Sequence, residues 1–157
     1  MIEYELYLDA LNEKEKNYIE ERVIKQIEWM DEKSQKCQSK YKRNSIISTI
    51  STALIPIAAL FYGEGCSTLI SCIIALLGAM STILFVINNL CEYQKLWIQY
   101  RSACESLKRE LYYFFWNTAN YDGEESDQKF EILVSNVEGV IAGDLEFWKS
   151  LGHNSKL

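Results

Sequence analysis

Residues that form turns or interrupt helices are scarce in this 157-residue sequence, which has one Pro and seven Gly. It also has a single His. So little turn-forming sequence argues against several linked domains and against a turn-rich β fold, and we expect one domain over residues 1–157. The five cysteines form no Cys-x-x-Cys pair, and His153 lies near the C-terminus. These residues offer no tetrahedral ligand set, so we expect no metal and no cofactor.

An excess of basic residues is also missing. The net charge is −6, and residues 120–157 hold eight acidic residues against three basic ones. This balance gives no electrostatic reason to expect direct readout of double-stranded DNA. The acidic start, MIEYELYLDA, is unlike a cleavable signal peptide. No nucleophile–base pair, carboxylate pair or phosphate-binding glycine loop is recognisable, and we therefore expect no enzyme.

Charge is almost absent from the middle of the chain. Glu64 is the only charged residue between Asn44 and Cys91, although 24% of the whole chain is charged. The apolar segments Ile46–Tyr62 and Ser67–Leu90 flank it, and about 20 helical residues cross a hydrocarbon layer of about 30 Å. The glycines on either side of Glu64 predict a tight reversal. The alternative, a buried hairpin in a soluble bundle, would present Lys or Glu to water on these helices, so we predict two transmembrane helices.

Basic residues flank the two predicted spans, and none lies in the turn between them. Lys and Arg close to a span tend to remain in the cytoplasm, so both termini are predicted to be cytoplasmic. The basic run before the first span also suits contact with lipid head groups. The residues concerned are Lys33, Lys36, Lys40, Lys42 and Arg43 before the first span, and Lys95 and Arg101 after the second.

The segments outside the spans are predicted to be helical. Asn12 and Glu15 form a capping-box pattern at the start of a helix over residues 12–43, and a second helix covers residues 92–117. Each carries an apolar stripe at alternating spacings of three and four, so we expect the two to pack as an antiparallel pair. The stripes are Val23, Ile27, Met30, Ser34, Cys37 and Tyr41 on the first, and Trp97, Tyr100, Cys104, Leu107, Leu111 and Phe114 on the second.

A third, C-terminal helix is predicted over residues 124–150. Asp122 followed by Glu125 supplies a start signal, and we expect the helix to fold back on the other two. Its predicted apolar stripe is Phe130, Val134, Val137, Ile141, Leu145 and Trp148. The predicted fold is therefore all-α: a membrane-spanning antiparallel hairpin extended into a cytoplasmic helical bundle.

Small and polar residues recur at helical spacing along both predicted spans. Such stripes allow close contact between helices, or they line a water-filled path in an oligomer, since two spans cannot enclose a pore alone. Both interpretations stay open. The residues are Ser45, Ser48, Thr49, Thr52 and Pro56 on the first span, and Ser71, Ala75, Gly78, Thr82 and Asn89 on the second.

Outside the spans, Trp29, Trp97, Arg101 and Glu105 are candidate residues for a packing and ion-pair network. Arg101, Glu105 and Arg109 follow one another at intervals of four on one helical face. This spacing is typical of a surface ion-pair ladder. The alternative interpretation is a polar network that locks the helices of neighbouring protomers together.

Three stretches, taken in order, resemble the SLATT family of bacterial two-transmembrane domains, which occur beside nucleotidyltransferase and SLOG-type sensor genes. They are QIEWMDEKSQKCQSKY (Gln26–Tyr41), WIQYRSACESLKRE (Trp97–Glu110) and the acidic NVEGVIAGDLEFW. With the hairpin, the resemblance covers about residues 12–150.

The resemblance implies an oligomeric pore or channel effector of an anti-phage system in the bacterial inner membrane. Its gate would respond to a nucleotidyltransferase or to that enzyme's nucleotide product. The alternative function is a membrane-anchored scaffold that recruits a cytosolic partner without conducting ions. The resemblance supplies no catalytic residue.

Overall fold

The computed structural model describes residues 5–9, 11–61, 67–123 and 125–154, and within these ranges it contains helices and no strand. The all-α prediction is confirmed. The helices are α1 Glu5–Leu8, α2 Glu13–Tyr18, a π-helical segment Ile19–Ile24, α3 Lys25–Leu60, α4 Ser67–Leu90, α5 Tyr93–Phe115, a 3₁₀ turn Ala119–Tyr121 and α6 Ser126–Asn154.

The capping box at the start of α2 is present as predicted. The Asn12 side chain accepts from the backbone N–H groups of Lys14 and Glu15 at 3.1 Å, and Glu15 accepts from the Asn12 N–H at 3.2 Å. The helical run then continues through the π-helical segment into α3, which ends at Leu60. Tyr62, the predicted end of the first span, and the predicted turn at Gly63, Glu64 and Gly65 lie outside the described residues.

The chain divides into two compact units. We call Met1–Ser34 with Ile98–Leu157 the arm unit, and Gln35–Trp97 the hairpin unit. α3 contributes to both, and α5 begins in the hairpin unit and continues in the arm unit.

The core of the arm unit forms where α3 and α5 run antiparallel. Val23, Met30, Cys104, Leu107 and Leu111 are completely buried. The Cys104 thiol lies 3.8 Å from the Ile27 carbonyl oxygen, and Arg101 donates to Asp31 at 3.0 Å. Residues later in α3 thus contact residues earlier in α5, as the two predicted stripes require.

α6 packs on this pair, but it begins two residues later than predicted, and its inward face agrees only in part with the predicted stripe. Asp122 ends the 3₁₀ turn and does not cap α6, which begins at Ser126. Leu133 and Val137 are completely buried, whereas the predicted Phe130 is only half-buried. The predicted stripe is therefore right at Val137 and misses Leu133, and the side chains of Leu145 and Trp148 lie outside the described set.

Helices α4 and α5 are separated by a two-residue turn at Cys91 and Glu92. Glu92 adopts φ 45°, in the left-handed region that a non-glycine residue occupies only at a cost. The Cys91 N–H still bonds the Ile87 carbonyl at 3.0 Å, and the Leu96 N–H bonds the Glu92 carbonyl at 3.0 Å. Backbone hydrogen bonds thus continue on both sides of this turn, although Glu92 is not in the helical conformation.

Candidate functional site: the polar and apolar surfaces of the hairpin

The hairpin unit exposes most of its apolar side chains. Leu60, Leu76 and Leu90 are 84%, 70% and 78% exposed. The second helical run, Thr68–Tyr121, has no buried residue in its most apolar stretch of 18 residues. A core hairpin of a soluble bundle would be mostly buried, and within one chain this hairpin is not. By length and composition, the described residues contain two helices that could cross a membrane.

A polar seam joins α3 to α4 inside the hairpin unit. Asn44, which is buried, donates through its side-chain amide to the Asn88 oxygen at 3.1 Å, and Asn88 donates to Ser45 Oγ at 3.1 Å. Further along, the Ser81 hydroxyl lies 3.0 Å from that of Ser48 and 2.7 Å from that of Thr52. Positions rise on α3 while they fall on α4, so the two helices are antiparallel.

The seam contains some of the predicted residues and several that were missed. Ser48 and Thr52 lie in it as helix–helix contacts, one of the two interpretations that the sequence left open. The sequence assigned no such contact to Asn44, Ser81 or Asn88. These contacts could have been recognised in the sequence from helical periodicity. A spacing of three and four relates positions 44, 48, 51, 55 and 58 on α3 and positions 74, 77, 81, 84 and 88 on α4.

The predicted stripe on α4 does not form the seam. Ser71, Ala75, Thr82 and Asn89 are exposed, and Gly78 is half-buried. At 100° per residue this stripe lies about 100° around α4 from the seam. The Thr82 hydroxyl donates to the Gly78 carbonyl at 2.9 Å, within its own helix. A Cβ built on Gly78 would meet no atom within 4 Å, so packing inside one chain does not require glycine there.

Pro56 lies inside α3 and is exposed. Proline has no N–H, so the Thr52 carbonyl loses its usual partner four residues on. The Thr52 hydroxyl donates to the Ser48 carbonyl at 3.0 Å, one turn earlier in the same helix. α3 nevertheless remains helical to Leu60.

Three of the four candidate network residues lie together in the arm unit. The Trp29 ring meets the Tyr100 ring edge to face at 5.6 Å, and Arg101 pairs with both Asp31 and Glu105, at 3.0 and 2.9 Å. Glu105 continues the ladder through Lys108 at 3.5 Å, where the sequence had suggested Arg109. The fourth, Trp97, is half-buried and belongs to the hairpin unit.

Two polar clusters fix α6 in the arm unit. Arg22 makes two hydrogen bonds of 2.9 Å to Glu138, and the Tyr18 hydroxyl donates to the same carboxylate at 3.2 Å. The hydrogen bond from Arg22 lowers the pKa of Glu138, and burial together with the Glu138 charge raises the pKa of Tyr18 to about 12. Each shift keeps the cluster in one charge state near neutral pH.

The second cluster centres on Glu110. Its carboxylate accepts from Tyr121 and from Asn136, each at 3.0 Å, and burial raises the pKa of Tyr121 to about 12. Neither cluster pairs a nucleophile with a base. Within the described ranges, no three His, Cys, Asp or Glu side chains are placed to hold a metal ion.

Fold and surface together define a class: an all-α protein with an antiparallel hairpin of two helices able to span a membrane, attached to a packed helical unit. Residues 25–129 match the model of the family described as protein of unknown function (DUF4231), and the chain belongs to that family. No curated protein and no solved structure shows significant similarity to the chain.

Proposed function

We propose that this protein is a membrane channel built from several copies of the chain. The hairpin crosses the membrane with both termini in the cytoplasm, and copies associate so that a polar stripe faces a shared water-filled path. The stripe is Ser71, Ala75, Gly78, Thr82 and Asn89, with Pro56 on the neighbouring helix.

One observation supports this proposal above the others: α4 keeps two separate polar faces. The hydroxyl and amide groups of Ser81 and Asn88 bond across to α3, whereas Thr82 bonds within its own helix and, like Asn89, is exposed among exposed leucines and isoleucines. Polar residues at membrane depth are tolerated where they face a protein contact or a water-filled cavity. A second copy of the chain would provide either.

The biological role is proposed from resemblance. The SLATT-like segments before and after the spans suggest an effector of a bacterial anti-phage system in the inner membrane, opened by a nucleotide signal or by a partner protein. DUF4231 membership is compatible with this assignment. Opening would dissipate the ion gradient of the infected cell.

Ion flux from liposomes tests the channel. The purified full-length chain should release a trapped cation dye in the presence of its opening signal, and the variant Gly78→Leu/Thr82→Leu should reduce the release at least about tenfold, because two isobutyl groups fill the proposed path. Ile73→Leu/Ile83→Leu is the matched control on the exposed apolar face of the same helix and should conduct normally. Equal flux in the two variants would contradict the proposal.

A membrane-anchored scaffold is the second candidate, and an exposed aromatic cluster in the arm unit favours it. The Tyr7 ring contacts Phe115 at 5.4 Å and Trp116 at 4.9 Å, beside a cleft of about 330 Å³ that Asn117 and Lys129 also line. Aromatic residues are enriched at protein interfaces. In a scaffold, Gly78→Leu/Thr82→Leu would retain its cellular role, whereas Trp116→Ala would abolish it.

A further inference from the structure

A continuous face of α3 changes from basic to apolar along its length. Lys40 and Arg43 lie on one side of the helix, and the same three-and-four spacing continues through Ile47, Ile50 and Leu54. Lys40 and Arg43 are exposed, and the three apolar residues are 37%, 55% and 42% exposed. One face thus presents a cationic head followed by an apolar strip.

The aromatic ring of Tyr93, at the start of α5, stands beside the cationic end of this face. Lys40 Nζ lies 5.6 Å from the ring centroid, a cation–π distance that holds the ammonium group in place. The hydrogen bond with Cys91 raises the pKa of Tyr93, and Arg43 acts on it in the opposite direction, so the guanidinium is within electrostatic range of the phenol. Tyr93 is therefore near both cations.

No carboxylate neutralises these two cations. Within the part of the chain that the structure describes, neither Lys40 nor Arg43 forms an ion pair, whereas Lys16, Lys25, Lys95 and Lys108 all do. The charges are available to an anion from outside the chain. An arginine beside a lysine is an arrangement that binds a phosphate group through charge-assisted hydrogen bonds.

We infer that Lys40 and Arg43 bind the phosphate head group of an anionic phospholipid whose acyl chains lie along Ile47, Ile50 and Leu54, and that the Tyr93 ring positions Lys40 for this contact. The lipid is favoured over a soluble phosphate because the apolar strip begins one turn after the cations. It continues to Ile57, about 21 Å from Arg43 at 1.5 Å per residue, which is enough to cover one leaflet. This inference rests on the proposed insertion of the hairpin in a membrane.

The site predicts a preference between lipids of equal chain length. Native mass spectrometry of the full-length chain in mild detergent should show phosphatidylglycerol bound about tenfold more tightly than zwitterionic phosphatidylcholine. Lys40→Gln/Arg43→Gln should weaken phosphatidylglycerol binding about tenfold, since each basic residue near an anionic surface contributes several-fold in affinity. All substituted side chains are exposed, so folding should be retained, and circular dichroism checks this.

The matched control also removes one lysine and one arginine. Lys33 makes the same kind of contact with a ring, at 5.6 Å from Trp29, and Arg109 is exposed. Lys33→Gln/Arg109→Gln should leave phosphatidylglycerol binding within about twofold. Tyr93→Leu should weaken it about threefold by releasing Lys40, and Tyr93→Phe, which keeps the ring, should restore most of the affinity.

Three results would overturn the lipid site: equal affinity for the two lipids, equal losses in the two double variants, or displacement of the lipid by millimolar inorganic phosphate, which would indicate a soluble anion. Failure of membrane insertion, which the proposed function requires, would give a different result. In that case the chain stays in the supernatant without detergent before any lipid is added. A chain that sediments with membranes but has no lipid preference contradicts this inference alone.

Discussion

At the scale of single residues, Asp144 is a carboxylic acid in a position that the helical spacing assigns to the core of the arm unit. It is 7% exposed, and its Oδ1 has no hydrogen-bond partner among the described residues. Burial raises the pKa of Asp144, and a hydrogen bond with Gln99 acts in the opposite direction. The folded state therefore binds a proton more tightly than the unfolded state does, so the ionised carboxylate destabilises the fold.

The resulting stability loss begins as pH rises above the ordinary aspartate pKa of about 3.9 and is complete above the raised value. Asp144→Asn should therefore raise the melting temperature of the detergent-solubilised chain by about 2–4 °C at pH 7. At pH 3, where both states are protonated, the gain should vanish. Glu146→Gln, an exposed carboxyl on the same helix, should show neither effect. A pH-independent gain for Asp144→Asn would contradict the assignment.

At the scale of elements, neighbouring asparagines on α4 should separate stability from conduction. Asn88→Leu removes the acceptor of the buried Asn44 amide and should destabilise the hairpin by about 1–2 kcal/mol, because an unpaired buried donor is costly. Asn89→Leu lies on the exposed stripe and should leave the melting temperature unchanged while it reduces liposome flux. Thermal melting and dye release, both measured on each variant, check this. The same effect of both variants on melting would count against two separate faces.

Much of the helical arrangement could be predicted because charge and apolar spacing act locally. The absence of charge from 44 to 91, apart from Glu64, located both apolar helices, and the capping box at Asn12 located the start of α2. The start of α6 was predicted wrongly because Asp122 has the residue type of a cap, yet it ends a 3₁₀ turn. Residue type predicts that a chain can turn at a position, and packing decides which turn forms.

The polar residues of the hairpin were harder to assign. Ser48 and Thr82 are chemically alike and lie on equally regular stripes, but one bonds across the seam and the other bonds within its own helix. Composition alone does not distinguish these outcomes, because both satisfy the hydroxyl group. The distinction depends on how α3 and α4 are rotated against each other, which the bulky Ile74, Leu77 and Leu84 on the half-buried face also help to set.

At the scale of the whole molecule, the exposed apolar surface and the distribution of basic residues make one joint prediction. The hairpin should insert with both ends on the cytoplasmic side, because five basic residues precede α3's apolar part and Lys95 and Arg101 follow α4. Green fluorescent protein fused to either terminus should therefore fluoresce, whereas alkaline phosphatase fused there should be inactive. The protein should also stay in the membrane pellet at pH 11.

Loss of the basic flank before the first span should disturb this topology. Changing Lys36, Lys40, Lys42 and Arg43 together to Gln removes most of the basic flank before the first span, so a fraction of molecules should insert with reversed orientation and gain phosphatase activity. Lys14, Lys16, Lys25 and Lys108 changed to Gln carry the same loss of charge far from the apolar segments and should leave the orientation unchanged. If both sets of substitutions inverted the orientation of the hairpin, net charge and not the position of the basic residues would determine it. Release of the unmodified chain from membranes at pH 11 would contradict membrane insertion itself.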